Sequence, residues 1–169
     1  MDHGSREGPN PNAPPELSQF AFLIGEWQAD GKLKGTDGKW KPFTADWTAR
    51  YILDGYVIAD EFHTNDTGSE FQLHGATFRS YDISRKTWVM KFLNARDSTW
   101  LDLGPEDLGG VEVTDMAITF RHRVEPDGIL KVSFENISSD HFTWRGEFSH
   151  NGGNTFDEIM LIEAKRIKD

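Results

Sequence analysis

Between Trp40 and Thr64 the chain alternates with a period of two and changes step only at Asp54-Gly55. Phe43, Ala45, Trp47, Ala49, Tyr51 and Leu53 fall on one face. Thr44, Asp46, Thr48 and Arg50 fall on the other. A repeat of two is strand geometry; a helix would repeat at 3.6. Asp-Gly supplies the positive φ angles of a two-residue hairpin turn, and such a turn leaves little freedom of register. Leu53 then opposes Tyr56, so Tyr56, Ile58, Asp60, Phe62 and Thr64 continue the apolar face. Asp60 is turned inward by the turn, not by its own polarity. A bulge would reverse that direction.

Similar segments fill the rest of the chain. Gly25-Glu26-Trp27 opens a strand in which Trp27, Ala29, Gly31 and Leu33 share a face. Ahead of it, Leu17, Phe20, Phe22 and Leu23 fall roughly at helical spacing, which predicts a short helix over 16–24 that closes one end of a barrel. Tyr81 is expected to pair with Trp88 across a four-residue turn. One face then collects Gly75, Thr77, Arg79, Tyr81, Trp88, Met90, Phe92 and Asn94. A turn at Ala95-Arg96-Asp97 is expected to set Ser98, Trp100 and Asp102 on the same side. Gly104 to Gly110 reads as a loop and a candidate pocket rim. Ile118, Phe120, His122 and Val124 match Leu130, Val132, Phe134 and Asn136 across Pro126-Asp127-Gly128. Strands over 142–149 and 155–167 meet across Asn151-Gly152-Gly153-Asn154. The pattern is all-β: about ten antiparallel strands in a meander that closes into a barrel. Residues 1–15 hold four of the seven prolines and read as a disordered lead-in; 16–169 form one domain.

Composition narrows the function classes. The net charge of −10 argues against nucleic acid and anionic membranes as partners, because phosphate needs a basic face. With no cysteine, disulfides, thiolate metal sites and thiol nucleophiles are excluded. No apolar run approaches the roughly 20 residues of a membrane span. The N-terminus lacks a signal-like apolar core, so the cytoplasm is the expected compartment. A homodimer is the base-rate expectation.

Gly25-x-Trp27 at the first strand, with Lys165 or Arg166 ending the last, resembles the calycin signature of lipocalins and their relatives. In that group the tryptophan seals the barrel floor and a basic side chain covers it. The order Leu23-Ile24-Gly25-Glu26-Trp27, Leu53-Asp54-Gly55, Tyr81-Asp82, Trp144-Arg145-Gly146-Glu147 and Asn151 to Phe156 is similar to an uncharacterised, mainly bacterial, lipocalin-like family distantly related to nitrobindin. Nitrobindins carry haem on a histidine near the C-terminus. Here the last histidine is His150, before the final turn, and Ala29 stands where nitrobindins have glycine. The resemblance therefore implies the barrel without a cofactor.

Register aims Asp60, Arg79, Asn94, His122 and Asn136 inward, with Tyr51, Tyr56, Tyr81 and Trp100. Trp88, Phe120 and Trp144 complete the expected ligand contacts. An apolar interior holding a few polar groups is the composition of a small-molecule site. His122 alone titrates near neutrality and is the acid–base candidate, with Asp60 to orient it and Arg79 to hold a carboxylate or enolate oxygen. The alternative is a satisfied core histidine beside a buried Arg79–Asp60 ion pair. His63, His74, His141 and His150 make no metal pattern, so no metal is expected. The leading expectation is a barrel binding a hydrophobic, oxygen-bearing molecule such as a terpenoid, polyketide or fatty-acid derivative. Its rivals are a cofactor-free isomerase, cyclase or lyase in the same pocket, and a partner-binding domain.

Overall fold

The computed structural model describes residues 7–65, 71–104, 106–124 and 128–168. Its strands are β1 (Gly25–Lys34), β2 (Trp40–Ile52), β3 (Val57–Thr64), β4 (His74–Asp82), β5 (Thr87–Asn94), β6 (Thr99–Asp102), β7 (Glu112–Val113), β8 (Ile118–Val124), β9 (Gly128–Glu135), β10 (His141–Ser149) and β11 (Asp157–Lys168). They form one antiparallel sheet in the order β6-β5-β4-β3-β2-β1-β11-β10-β9-β8-β7. Strands consecutive in sequence pair with each other except β6 and β7, and β11 returns to pair with β1. The meander matches the expectation, with the two-residue β7 added. The sheet curls into a half-barrel, and β1 lies at its middle. Among the described residues no ladder joins the end strands β6 and β7.

Register follows the turns. Tyr51 pairs with Ile58 and Ile52 with Val57, so the Asp54-Gly55 turn sets the phase that alternation predicts. Tyr81 pairs with Trp88, and His122 with Leu130. The Pro126-Asp127 part of the latter hairpin lies outside the described residues. One register departs from expectation. Asn94 pairs with Thr99 and Phe92 with Leu101, because the β5–β6 turn holds four residues and places Ser98 at φ 60°. That extra residue exchanges the two faces of β6.

The expected helix is a 3-10 helix over Pro15–Leu23, and Leu17, Phe20 and Leu23 are buried. The Phe20 ring meets Trp88 edge-on at 4.9 Å and Phe134 at 5.8 Å. It therefore plugs the end of the half-barrel. Trp27 follows immediately and is fully buried; its indole Nε1 donates to the Leu23 carbonyl at 2.8 Å. Arg166 of β11 lies over the Trp27 ring at 4.1 Å and donates to the Phe22 carbonyl at 2.9 Å. Of the two basic residues expected to cover the floor tryptophan, Arg166 is the one that does so. Its planar fork also reaches backbone carbonyls, which suits guanidinium better than ammonium.

Before the helix, Asn10 docks on the hairpin turn. Its backbone N–H donates to the Gly55 carbonyl at 2.9 Å, and its Nδ2 donates to the Asp54 carbonyl at 2.8 Å. Gly55 has φ 83°, and a Cβ there would lie 2.4 Å from the Asn10 nitrogen. Both the backbone angle and the close approach demand glycine.

Candidate functional site

The concave side of the half-barrel holds a partly open cavity of about 230 Å³. Trp47, Phe62, Phe92, Phe120, Phe134 and Trp144 form much of its wall, with leucines from β6 and β9. Four polar residues reach it: Asp60, Thr77, Arg79 and His122. Each arrives by strand alternation. Asp60 lies on β3 opposite Thr77 of β4, and Arg79 lies two residues further along β4. Diagonal neighbours on one face stand about 7–8 Å apart at the backbone, within reach of an arginine.

Arg79 Nε donates to Asp60 Oδ1 at 2.8 Å, and Trp47 Nε1 donates to Asp60 Oδ2 at 3.0 Å. Both carboxylate oxygens are thus occupied from within the barrel. The Arg79 guanidinium also contacts the Met90 sulfur at 3.4 Å and lies 4.7 Å from the Phe20 ring centroid. Asp60 and Arg79 are 3% and 4% exposed. A buried ion pair survives when each member is paired. Both Asp60 oxygens accept a hydrogen bond here, and Arg79 meets its counter-charge through Nε.

His122 stands apart from that pair. Burial pushes its pKa below the ordinary imidazole value, opposed by a contact to the Arg123 carbonyl and by the Asp102 carboxylate. An imidazole with a pKa ordinarily near 6.5 is therefore neutral at pH 7. Asp102, at the exposed end of β6, is the smallest of these influences; Asp60 was the carboxylate expected to orient the ring. Asp60 is engaged by Arg79 and Trp47. The β6 and β8 sides thus face each other across the cavity, with Leu101 and Leu103 opposite Phe120 and His122. The intervening connection carries a 3-10 turn at Glu106–Leu108, and Asp107 pairs with Arg123 of β8 at 2.9 Å.

Of the residues expected at the site, Asp60, Arg79, His122, Phe120 and Trp144 line the cavity. The others do not. Tyr56 is 41% exposed, because it completes the hairpin turn at φ −88°, ψ −17° instead of starting the strand. Trp100 is 59% exposed, the consequence of the β6 register, and its ring lies 6.0 Å from Phe78 on the outer face. Leu101 takes the inward place. Asn136 follows β9, has φ 52° and is exposed. Asn94 caps the β5–β6 turn by accepting from the Arg96 N–H at 3.0 Å. Tyr81 and Trp88 pack edge-on at 5.5 Å near the plugged end, where Trp88 Nε1 donates to Gln19. Tyr51 is buried at the floor, beside a surface groove bordered by Glu26, Arg50 and Arg166, and burial raises its pKa.

Trp47 and Thr77 are the polar contributors that sequence reasoning left out of the site. A signal was present: an inward tryptophan carries an N–H that needs an acceptor, and Asp60 shares its face. Among the described residues, no three His, Asp or Glu side chains gather into a metal-binding group. None of the described helices is long and apolar enough to cross a membrane.

Fold and cavity together define an all-β half-barrel of calycin-like fold with an apolar interior. No family model and no curated protein sequence matches the chain. Among solved structures it is similar to Rv2717c from M. tuberculosis, with a TM-score of 0.59 and 10% identity over 92% of this chain and 99% of that one. It is also similar to the S-type phycobiliprotein lyase CPES from Guillardia theta, with a TM-score of 0.55 and 10% identity over 89% of this chain and 91% of that one. At such identity the likeness is one of fold. The relation to nitrobindin-like barrels rests on motif order alone.

Proposed function

We propose that the protein binds a compact, hydrophobic small molecule bearing an oxygen function inside the half-barrel. One observation carries this reading: a cavity walled by aromatic and aliphatic side chains into which only a few polar groups converge. The volume bounds the ligand. About 230 Å³ lies below the roughly 300–1,000 Å³ of common small-molecule sites, so the ligand is small. A long chain would have to extend beyond the cavity, between β6 and β8.

Native mass spectrometry of protein purified from its own host tests the proposal. A retained mass in the small-molecule range is expected. Val132 lines the cavity and is buried, so Val132→Phe should release that mass while the protein stays folded. A folded Val132→Phe protein carrying the same ligand in the same amount would overturn the proposal.

A second reading has its own support. His122 lines the cavity as a buried imidazole that burial keeps unprotonated, which suits a general base in cofactor-free isomerisation, cyclisation or elimination. Once the ligand is known, its conversion by wild type and by His122→Gln separates the two readings. Equal conversion, or none in either, leaves binding alone.

A further inference from the structure

The cavity contains two formal charges, yet the geometry leaves neither of them uncompensated. Asp60 Oδ1 accepts from Arg79 at 2.8 Å and Oδ2 accepts from Trp47 at 3.0 Å. The Arg79 guanidinium meets its counter-charge through Nε, contacts Met90 through Nη1, and has the faces of Phe20 and Phe134 at 4.7 and 5.5 Å. The surrounding wall is apolar. We infer that the Asp60–Arg79–Trp47 cluster makes the cavity a filter for uncharged ligands. The molecule it takes is then an alcohol, ketone, ether or phenol, and not a carboxylic acid or an amine.

The inference rests on the proposed binding role of the cavity and narrows the class of ligand. A carboxylate entering here would meet Arg79 only beside an existing carboxylate. Two anions would share one guanidinium, leaving one net negative charge buried among aromatic rings. An entering ammonium would find the Asp60 charge already balanced by Arg79, so two cations would share one carboxylate and leave one net positive charge buried. Burial of a charge without its own partner is strongly unfavourable, so both classes are rejected. Thr77 and His122 remain as uncharged groups for one hydrogen bond to a ligand oxygen. Asp60 is thereby a specificity-determining residue: its carboxylate occupies the cation that an acid would otherwise use.

Two probes of equal heavy-atom count isolate charge from shape: 2-acetylnaphthalene and 2-naphthoate. Equilibrium dialysis at pH 7.5 against wild type should give at least tenfold tighter binding of the ketone. In Asp60→Asn, Arg79 keeps its charge and loses its counter-ion, so the preference should shrink or reverse. A structural role for Asp60 would weaken both probes alike and leave their ratio unchanged. Equal binding of the two probes by wild type overturns the filter and leaves the ligand-binding reading standing. So does a folded Asp60→Asn protein that keeps the tenfold preference. Where that variant does not fold, the wild-type ratio alone decides. Failure of wild type to bind either probe, together with no retained ligand in native mass spectrometry, overturns the binding reading and the filter with it.

Discussion

Arg79 and Asp60 meet through a single Nε–Oδ1 hydrogen bond of 2.8 Å, inside a half-barrel and away from solvent. The relationship joins two strands, a tryptophan and the N-terminal plug. Asp60 comes from β3, Arg79 from β4, Trp47 from β2, and Phe20 from the 3-10 helix. A change at any of the four is therefore felt in the others.

Removing one member of the pair should be worse than removing both. Arg79→Leu leaves a buried carboxylate and should lose about 3–5 kcal/mol in urea denaturation. Asp60→Leu/Arg79→Leu removes both charges and leaves the Trp47 indole N–H without its acceptor. That defect alone is worth about 1–3 kcal/mol, so the double variant should be the more stable of the two. A double variant as unstable as the sum of its parts would show that the pair is not coupled as the geometry requires.

Arg166 clamps the floor of the barrel. It combines a ring contact at 4.1 Å with a donation to the Phe22 carbonyl. Cation–π contact is worth roughly 0.5–2 kcal/mol and a charged hydrogen bond about 1.5–3 kcal/mol. Arg166→Ala should therefore lose on the order of 3 kcal/mol, and Arg166→Lys should recover less than half of that. Trp27 fluorescence, compared through a Trp27→Phe control, would report the opening of the floor.

Asn10 ties the chain ahead of the plug to the Asp54-Gly55 turn. Asn10→Ala removes three side-chain hydrogen bonds, two donated to the Asp54 carbonyl and carboxylate and one accepted from the Asn12 N–H, and should lose about 1–2 kcal/mol. Gly55→Ala adds strain at φ 83° to a contact with the Asn10 backbone and should lose more, about 2–3 kcal/mol. Hydrogen exchange at the Asn10 amide should rise in both.

Stability should fall with pH through His122. Its folded pKa is lowered by burial, so the unfolded chain binds a proton first as pH drops below about 6.5. In that window the unfolded state holds more protons, and the stabilisation present at pH 7 and above is progressively lost until the folded pKa is reached. Denaturation midpoints measured from pH 7.5 to 5 should show this slope. His122→Leu should flatten it by the share of one proton. An identical slope in His122→Leu would assign the loss to other groups.

The directions of Asp60 and Arg79 were legible because each depends on a turn whose residue types announce it. Asp54-Gly55 sets the phase of β3, and the pairing of Tyr81 with Trp88 sets that of β5 against β4. His122 was legible from the clean alternation of β8 and β9 alone. The errors lie where a strand ends. Tyr56 belongs to the turn, Asn136 has left the strand, and one additional turn residue exchanged Trp100 for Leu101. A period of two carries no information about where it begins or stops, and a slip of one residue exchanges the faces.

By itself, the amino-acid order determined the strands and most of their pairing. These are local matters, since alternation and turn chemistry act over a few neighbouring residues. Only the tertiary structure decided that β6 and β8 line one cavity without a ladder between them, which sets Leu101 and Leu103 in the same wall as Phe120 and His122. Those relationships join strands that no single turn connects. They depend on how far an eleven-stranded sheet twists and curls before its ends meet, a sum of small rotations at every strand pair that no local pattern encodes.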